Sequence, residues 1–397
     1  MYYRIPPEMA DATRLIQLGK LVEATALIQR MLRGERSGDP GAGASNVIDA
    51  EYTVLDAGHV STDPSPPEEQ PGAQVKARHT PRPHTSLREA VARAAALAKL
   101  FGDGLSSRPV LEPLPDGASF TAATYSNAEG SRDYKLYIPS IRSRERLPLI
   151  VMLHGCTQTP DDFAAGTRMN SLAEEHGFFV VYPAQHSLAN ARRCWNWFRP
   201  DDQRRGQGEP SLIAGITCEV MRQHQVDPGR VYITGLSAGG AAAAIMGQAY
   251  PDLYAAVGVH SGLPSGAASD LSSAFDAMRR GAKVTERPGR VVPAIIFHGE
   301  MDPIVNPSNS DALAAQALGG ATGLQRITEH GQAPDGHAYV RITYADQKGQ
   351  TMCEHWSIRG AGHAWSGGSR SGSHTDSRGP DASREMVRFF LQHWTNE

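Results

Sequence analysis

Apolar and polar positions follow one pattern before about residue 118 and another after it. Beyond that point, short apolar runs alternate with segments of helical periodicity. The runs that predict strands covered on both faces are LPLIVMLHG (147–155), FFVVYPA (178–184), RVYITG (230–235), AAVGVHSG (255–262) and VPAIIFHGEMD (292–302). Helices are predicted around 163–176, near 211–225, directly after residue 237, and at 383–394. This alternation predicts an α/β fold with a mostly parallel central sheet.

Strand-like segments of mixed polarity lie on either side of these runs in the sequence. SFTAATYSN (119–127) and RDYKLYIPS (132–140) predict an antiparallel pair that opens the sheet. AYVRITYAD (338–346) and CEHWSIRG (353–360) predict strands that close it.

The first 115 residues have a different character. Apolar residues recur at helical spacing over residues 8–33, which predicts an amphipathic helix within an N-terminal segment 1–34. This helix either packs on the main domain or a second copy, or binds an apolar surface. Residues 35–115 are rich in Pro, Gly, Ser and charge and are interpreted as a flexible linker, with a short helical pattern at 86–101. Residues 116–397 form the predicted globular domain.

The composition argues against several classes of protein. Hydrophobic residues make up 40% and charged residues 20% of the 397-residue chain, which is ordinary for a globular protein. A formal net charge of −3 gives no indication of nucleic-acid binding. No apolar run is long enough for a transmembrane segment. The N-terminus lacks a basic segment followed by an apolar stretch, so no signal peptide is predicted.

The segment YITGLSAGGA (232–241) carries the first chemical signal. Ser237 lies in a Gly-x-Ser-x-Gly pattern, after a β-branched strand and before a helix whose first turn has only small residues. A sharp strand-to-helix turn of this kind exposes a serine hydroxyl near the N-terminus of a helix. Ser237 is therefore the predicted nucleophile.

A serine nucleophile needs a base, and the base needs an orienting carboxylate. In α/β enzymes with this turn, the chain order is Ser, then Asp or Glu, then His, each on a loop after a strand. Asp302 follows the strand AIIFHG, with Glu300 as a rival, and His363 lies in the glycine-rich loop GAGHAWSGG. His355, inside a strand pattern, is interpreted as structural. His374 and His393 lie beyond the expected loop and in the last helix.

Two main-chain amides are needed to stabilise the oxyanion of a tetrahedral intermediate. The backbone N–H of Ala238 is the first candidate, and that of Cys156, in the loop HGCTQ after the 147–155 strand, is the second. The four cysteines have no zinc-site spacing, so no metal site is predicted. They allow up to two disulfides or four thiols; Cys194 is the first candidate partner for Cys156.

Several motifs together resemble the poly(3-hydroxybutyrate) depolymerase family of α/β-hydrolase esterases, with related feruloyl and acetyl-xylan esterases. In chain order they are HGCTQTPDDF, VVYPAQ, CWNWF, DPGRVYITGLSAGGAAA, VHSG, HGEMDPIVN and GAGHAWSGG, within 118–397. The resemblance implies an α/β-hydrolase fold, a Ser237–Asp302–His363 triad and ester hydrolysis without a cofactor. It also implies aromatic residues that contact the substrate, and by position Trp197 and Trp365 are nominated, with core packing as the alternative.

The resemblance makes poly(3-hydroxybutyrate), a short-chain polyhydroxyalkanoate or their oligomers the expected substrate. A feruloyl or acetyl ester of plant polysaccharide is the alternative. A non-catalytic polymer-granule-binding protein, anchored through residues 8–33, is a hypothesis of another class. A dipeptidyl-peptidase-like hydrolase shares the triad order but ranks lower. The family implies an extracellular enzyme; without a readable signal peptide, a cytoplasmic, granule-associated enzyme is the alternative.

Overall fold

Ten strands form one sheet that is parallel at its centre and antiparallel at both edges, in the order β1-β2-β4-β3-β5-β6-β7-β10-β9-β8. This computed structural model describes residues 109, 111–141, 145–283 and 291–395. The helix predicted at 8–33, the linker up to residue 108 and the helical pattern at 86–101 lie outside the described residues.

The element bounds follow the apolar runs closely. The strands are β1 (Ser119–Asn127), β2 (Gly130–Ile138), β3 (Leu147–Leu153), β4 (Phe179–Pro183), β5 (Val226–Leu236), β6 (Ala256–His260), β7 (Ala294–Gly299), β8 (Gln325–Gln332), β9 (Ala338–Ala345), β10 (Thr351–Ile358), β11 (Trp365–Ser366) and β12 (Thr375–Asp376). The helices are α1 (Pro160–Thr167), α2 (Met169–His176), α3 (Gly208–Gln223), α4 (Ala238–Ala249), α5 (Leu271–Arg280), α6 (Ser308–Leu318) and α7 (Ala382–Phe390).

The parallel pairs run from β4 through β3, β5, β6 and β7 to β10, and both edges of the sheet are antiparallel. The carboxyl ends of parallel strands meet at one edge of a sheet, where functional loops concentrate. The loops after β3, β5, β7 and β10 therefore converge, and they carry all the residues of the predicted triad and oxyanion site.

Two apolar clusters fill the two faces of the sheet. Strand β3 shows why its sequence is continuously apolar: Leu149, Val151 and Leu153 belong to one cluster, whereas Ile150 and Met152 belong to the other. Successive side chains of a strand point to opposite faces, so a strand covered on both sides needs apolar residues at every position. The predicted α/β architecture is confirmed.

Two predicted helices differ in detail, and one edge strand was not predicted. The helix expected at 163–176 is two helices, α1 and α2, separated by Arg168 in the left-handed region (φ 54°). The last helix ends at Phe390 instead of residue 394. An additional strand, β8, forms the edge beyond β9. Its side chains are almost all exposed, so it carries no apolar run that could predict it.

The C-terminal helix α7 packs on the sheet through two phenylalanines. Phe389 and Phe390 are fully buried. The ring of Phe390 stacks on Tyr232 of β5, with centroids 5.0 Å apart and an interplanar angle of 4°. Asp381 caps the start of the helix, and its side chain accepts a hydrogen bond from the Arg384 amide.

We expect Phe390→Ala to lower the free energy of unfolding by about 3–5 kcal/mol, because it leaves a cavity against Tyr232. Urea denaturation followed by tryptophan fluorescence measures this change. Gln392→Ala, at an exposed position just after the helix, is the control and should shift the midpoint little. Equal shifts in the two variants would contradict this account of how α7 is held.

Candidate active site

Ser237 occupies a strained turn between β5 and α4, with φ 57° and ψ −118°. Its amide donates to the carbonyl of His260, at 2.9 Å. A Cβ atom on Gly235 would lie 2.6 Å from the carbonyl oxygen of Leu153, and one on Gly239 would also overlap that oxygen. Both glycines are therefore required, because the backbone at the end of β3 occupies the space that side chains would need. The turn has the geometry of a nucleophile elbow.

Asp302 follows β7 and is almost completely buried. Its Oδ1 accepts hydrogen bonds from the amides of Ile304 and Val305, both at 2.9 Å. Its Oδ2 accepts from Nδ1 of His363, at 2.7 Å. This hydrogen bond fixes the tautomer of His363, with the proton on Nδ1 and the free lone pair on Nε2.

Glu300, the rival carboxylate, lies elsewhere. It is exposed, and its Oε1 accepts a hydrogen bond from the hydroxyl of Ser357, at 3.0 Å. The geometry therefore favours Asp302 as the partner of His363.

The loop of His363 packs directly on the end of β7. A Cβ atom on Gly299 would lie 2.6 Å from the carbonyl oxygen of Gly362, and it would also overlap that of Ala361. Only glycine at position 299 allows the acid and histidine loops to approach this closely. Ser237 and His363 line the same pocket, so all three predicted triad residues are brought together.

His298 is a second histidine on Asp302 that sequence reasoning did not identify. Its Nε2 lies 2.9 Å from the carbonyl oxygen of Val305 and 3.3 Å from Oδ2 of Asp302. Burial alone would raise the pKa of Asp302, but the hydrogen bonds from His298 and His363 outweigh burial and hold that pKa far below its usual value. Asp302 is therefore an anion, and both His298 and His363 contact it.

The loop after β3 is held firmly beside Ser237. Cys156 forms a disulfide with Cys194, the partner proposed from the sequence. The amide of Gly155 donates to Oε1 of Gln158, at 2.9 Å. In the part of the chain that the structure describes, neither the Cys156 amide nor the Ala238 amide donates a hydrogen bond to another protein group. Both amides remain the predicted donors to an oxyanion.

A buried carboxylate supports the segment that carries Cys194. Glu209 accepts hydrogen bonds from the amide of Asn196 at 2.7 Å, from the side chain of Asn196 at 2.8 Å, and from the side chain of Gln185. Burial, followed by the charge of Asp202, raises the pKa of Glu209. Arg132 lies 3.4 Å away and partly offsets the cost of burying this carboxyl.

Two further buried histidines hold main-chain segments around the site. Nε2 of His154 accepts from the amide of Gln185 at 3.1 Å, and its Nδ1 donates to the carbonyl of Gly155 at 2.8 Å. Nε2 of His260 accepts from the amide of Ser366, at 3.0 Å. Burial lowers the pKa of His154 to about 4 and that of His260 to about 3. Both imidazoles are neutral hydrogen-bond acceptors.

Comparison with known proteins agrees with this geometry. A family model described as Esterase PHB depolymerase matches residues 132–334. The poly(3-hydroxyalkanoate) depolymerase C of Paucimonas lemoignei is 30% identical over 293 residues, which are 70% of this chain and 69% of that protein. The chain belongs to the PHB depolymerase family of esterases. It is a carboxylic-ester hydrolase.

Other members of the wider esterase group are also similar. Feruloyl esterase B of Thermothelomyces thermophilus is 30% identical over 188 residues, covering 43% of this chain and 64% of that protein. The structure of an acetyl xylan esterase from Aspergillus awamori matches with a TM-score of 0.53 at 19% identity, over 68% of this chain and 99% of that one. This structural likeness concerns the fold alone, which is the α/β-hydrolase fold.

The two tryptophans nominated for substrate contact are core residues. Trp365 is 1% exposed, packs edge-on against Phe163 and donates its indole N–H to Ser383, at 3.0 Å. Trp197 is 6% exposed and packs against Phe198. This burial favours the alternative stated with the prediction, in which both indoles pack in the core of the domain. Aromatic residues near a site are equally suited to both roles, so the sequence pattern could not separate them.

His374 is a residue of this esterase site that the sequence analysis placed outside it. It lines the pocket of Ser237 and His363. In contrast, His355 is buried in β10 beside the hydroxyl of Ser310, as its strand pattern predicts. The sequence offers one weak signal for His374, the turn-rich segment SGGSRSGSH, which allows a loop to return to the site.

Across the described residues no group of three or more His, Cys, Asp or Glu side chains could hold a metal ion. In the same part of the chain no helix has the length and apolar character needed to cross a membrane.

The buried histidines His154 and His260 predict that the protein loses stability in acid. Their pKa values are lowered on folding, so their contribution to stability is complete above about pH 6.5 and is lost as the pH falls towards 4. At pH 5 each should reduce the free energy of unfolding by about 2 kcal/mol. His154→Gln should therefore flatten the fall in urea midpoint between pH 7.5 and 5. His330→Gln, at an exposed position in β8, should keep the wild-type slope. Identical slopes in all three proteins would contradict this account.

His298 should influence turnover through Asp302. We expect His298→Leu to lower kcat on a soluble nitrophenyl ester about tenfold, with little change in KM. A carboxylate with one donor fewer should hold the proton on His363 more strongly, so the acid limb of the pH–rate profile should move to higher pH. His298→Gln retains an N–H donor and should restore part of kcat and of the profile. A loss of activity without a shift in the pH profile would indicate a structural role only.

Proposed function

We propose that this esterase hydrolyses poly(3-hydroxybutyrate) or its oligomers through an acyl-enzyme formed on Ser237. The observation that supports the mechanism most strongly is the 2.7 Å hydrogen bond between Asp302 and Nδ1 of His363, next to the Ser237 turn. This arrangement has the geometry and the chain order of a nucleophile, a base and an orienting acid.

In the first half-reaction, Oγ of Ser237 attacks the ester carbonyl while Nε2 of His363 takes its proton. Asp302 holds the imidazole and stabilises its charged form. The amides of Cys156 and Ala238 donate to the oxyanion as it forms. His363 then gives the proton to the leaving oxygen, and the alcohol departs.

In the second half-reaction, His363 removes a proton from water, which attacks the acyl-enzyme. The same two amides stabilise the second oxyanion. The proton passes back to Oγ of Ser237, and the carboxylic acid is released. The described residues supply each of these groups, so no step of the proposed reaction requires a cofactor.

Membership of the PHB depolymerase family supports a hydroxyalkanoate ester as the substrate. A feruloyl ester is the second candidate, because feruloyl esterase B is similar at the same identity over a shorter stretch. A non-catalytic granule-binding role is less well supported, since a scaffold has no need of a buried carboxylate aligned on His363 beside a strained serine.

The cellular location is also part of the proposal. The Cys156–Cys194 disulfide supports an oxidising, extracellular compartment, because intracellular thiols are usually kept reduced. Binding of residues 8–33 to a polymer-granule surface remains a proposal about a segment outside the described residues.

Parallel turnover measurements test the proposal. The substrates are amorphous poly(3-hydroxybutyrate) granules, a short-chain nitrophenyl ester and methyl ferulate. We expect wild-type protein to clear the granules, and Ser237→Ala to lower turnover on every substrate at least about 10³-fold. Ser272→Ala, on the exposed surface of α5, is the matched control and should keep wild-type rates.

Each outcome has a separate meaning. An active Ser237→Ala protein would overturn the mechanism. Turnover of the soluble nitrophenyl ester without granule clearing would leave the mechanism standing and refute the polymer substrate. Preference for methyl ferulate would support the second candidate.

A further inference from the structure

The active site continues past His363 into a second pocket. One pocket holds Ser237, His363 and His374 together with the loop of Cys156. The other, of about 400 Å³, shares His363 and His374 and is walled by Met301, Pro303, Ile304 and two glycines. The two histidines are the polar side chains common to both pockets.

The proposed mechanism identifies which part of the substrate occupies the second pocket. His363 donates its proton to the leaving oxygen, so the alcohol part of the ester departs on the side of His363. The second pocket includes His363 and His374, whereas Ser237 is not among the residues that line it. It therefore receives the alcohol part, and its apolar wall suits the hydrocarbon portion of that group.

The backbone around His374 is held so that its ring has a defined position. His374 itself is in the left-handed region, with φ 52°. The amide and hydroxyl of the preceding Ser373 donate to Asp162 at 2.8 and 2.6 Å, and the carbonyl of His374 accepts from the amide of Trp365 at 2.7 Å. Unfavourable backbone geometry retained under such restraint is characteristic of functional positions.

The ring of His374 has little to bind within the protein. Nε2 lies 3.5 Å from Oγ1 of Thr157, at the outer limit of a hydrogen bond, and that hydroxyl already donates to the carbonyl of Cys156 at 2.5 Å. Burial, followed by the nearby charge of His363, lowers the pKa of His374, while Asp162 opposes this shift. A neutral imidazole carries one N–H, and His374 lines both pockets, so its ring can donate a hydrogen bond to a ligand there.

We propose that His374 donates a hydrogen bond to a carbonyl oxygen on the alcohol part of the substrate, and so selects esters whose alcohol is itself a 3-hydroxy acid or its ester. The inference rests on the proposed function, since it takes the direction of the leaving group from that mechanism. A chain of hydroxy acids carries such a carbonyl beside every scissile bond, whereas a simple alkyl or aryl ester carries none. His374 then acts as a specificity-determining residue.

A pair of matched acetates tests this role. Methyl 3-acetoxybutanoate carries a carbonyl on its alcohol part, and sec-butyl acetate has the corresponding alcohol without it. Acetate release gives kcat/KM for each substrate. We expect wild-type enzyme to prefer the first acetate, and His374→Asn to lower kcat/KM for it about fivefold while changing that for sec-butyl acetate less than twofold.

The first variant is matched to the backbone, and the second to the reach of the side chain. Asparagine tolerates the left-handed region but is too short to reach the pocket, whereas His374→Gln carries an N–H at a similar reach and should keep part of the preference. An unchanged ratio of the two kcat/KM values in His374→Asn would overturn the proposal. An equal fall for both acetates would also overturn it, because it would indicate damage to the site as a whole.

Failure of the proposed function would be seen separately. Ser237→Ala should abolish acetate release from both compounds. If it does not, the mechanism itself is wrong, whatever the ratio measured for His374→Asn.

Discussion

The close approach of backbone to backbone at two glycine contacts is the constraint on which the site depends. At Gly239, the carbonyl end of β3 fills the space of a side chain, which brings the Cys156 loop beside Ser237. At Gly299, the main chain of the His363 loop does the same, which brings the histidine onto the acid loop. Both contacts lie at the edge of the sheet where the carboxyl ends of the parallel strands meet. The fold therefore brings the loops to the same edge of the sheet. Glycine at these two positions then allows the backbones to approach more closely than any side chain would permit.

Around this convergence, buried polar groups hold the loops in place. His154 and His260 accept hydrogen bonds from main-chain amides that would otherwise be buried without partners. Histidine suits this task because its neutral ring has one acceptor and one donor. His298 also lies inside the core, where its Nε2 is 2.9 Å from the carbonyl oxygen of Val305 and 3.3 Å from Oδ2 of Asp302. Three histidines thus have supporting roles around the one predicted as the base, and their burial keeps two of them neutral.

Much of the fold and the central chemistry could be predicted from sequence, for identifiable reasons. Strands covered on both faces are continuous apolar runs, and the order of serine, acid and histidine follows from the fold class. The failures have equally physical causes. Strand β8 is polar because it is exposed, so it lacks the apolar signal. The burial of Trp365 and the approach of His374 depend on how a glycine-rich loop returns to the site, which no local periodicity encodes. His298 could not be identified because its contacts with Asp302 and Val305 depend on how the chain turns after β7.

Buried polar groups also support the segment of Cys194, which is joined to the predicted oxyanion loop. A carboxylate as buried as Glu209 is costly unless its oxygens are satisfied, and here Asn196, Gln185 and Arg132 satisfy them. Removing any one partner would leave a buried carboxyl group without one of its hydrogen bonds, so the network favours one arrangement of its members. Asn196 lies two residues from Cys194, which the disulfide joins to Cys156. The Cys156 amide, which is proposed to bind the oxyanion, is thus supported by a network outside the proposed substrate site. Such support limits the reorganisation that is needed when charge develops on the substrate.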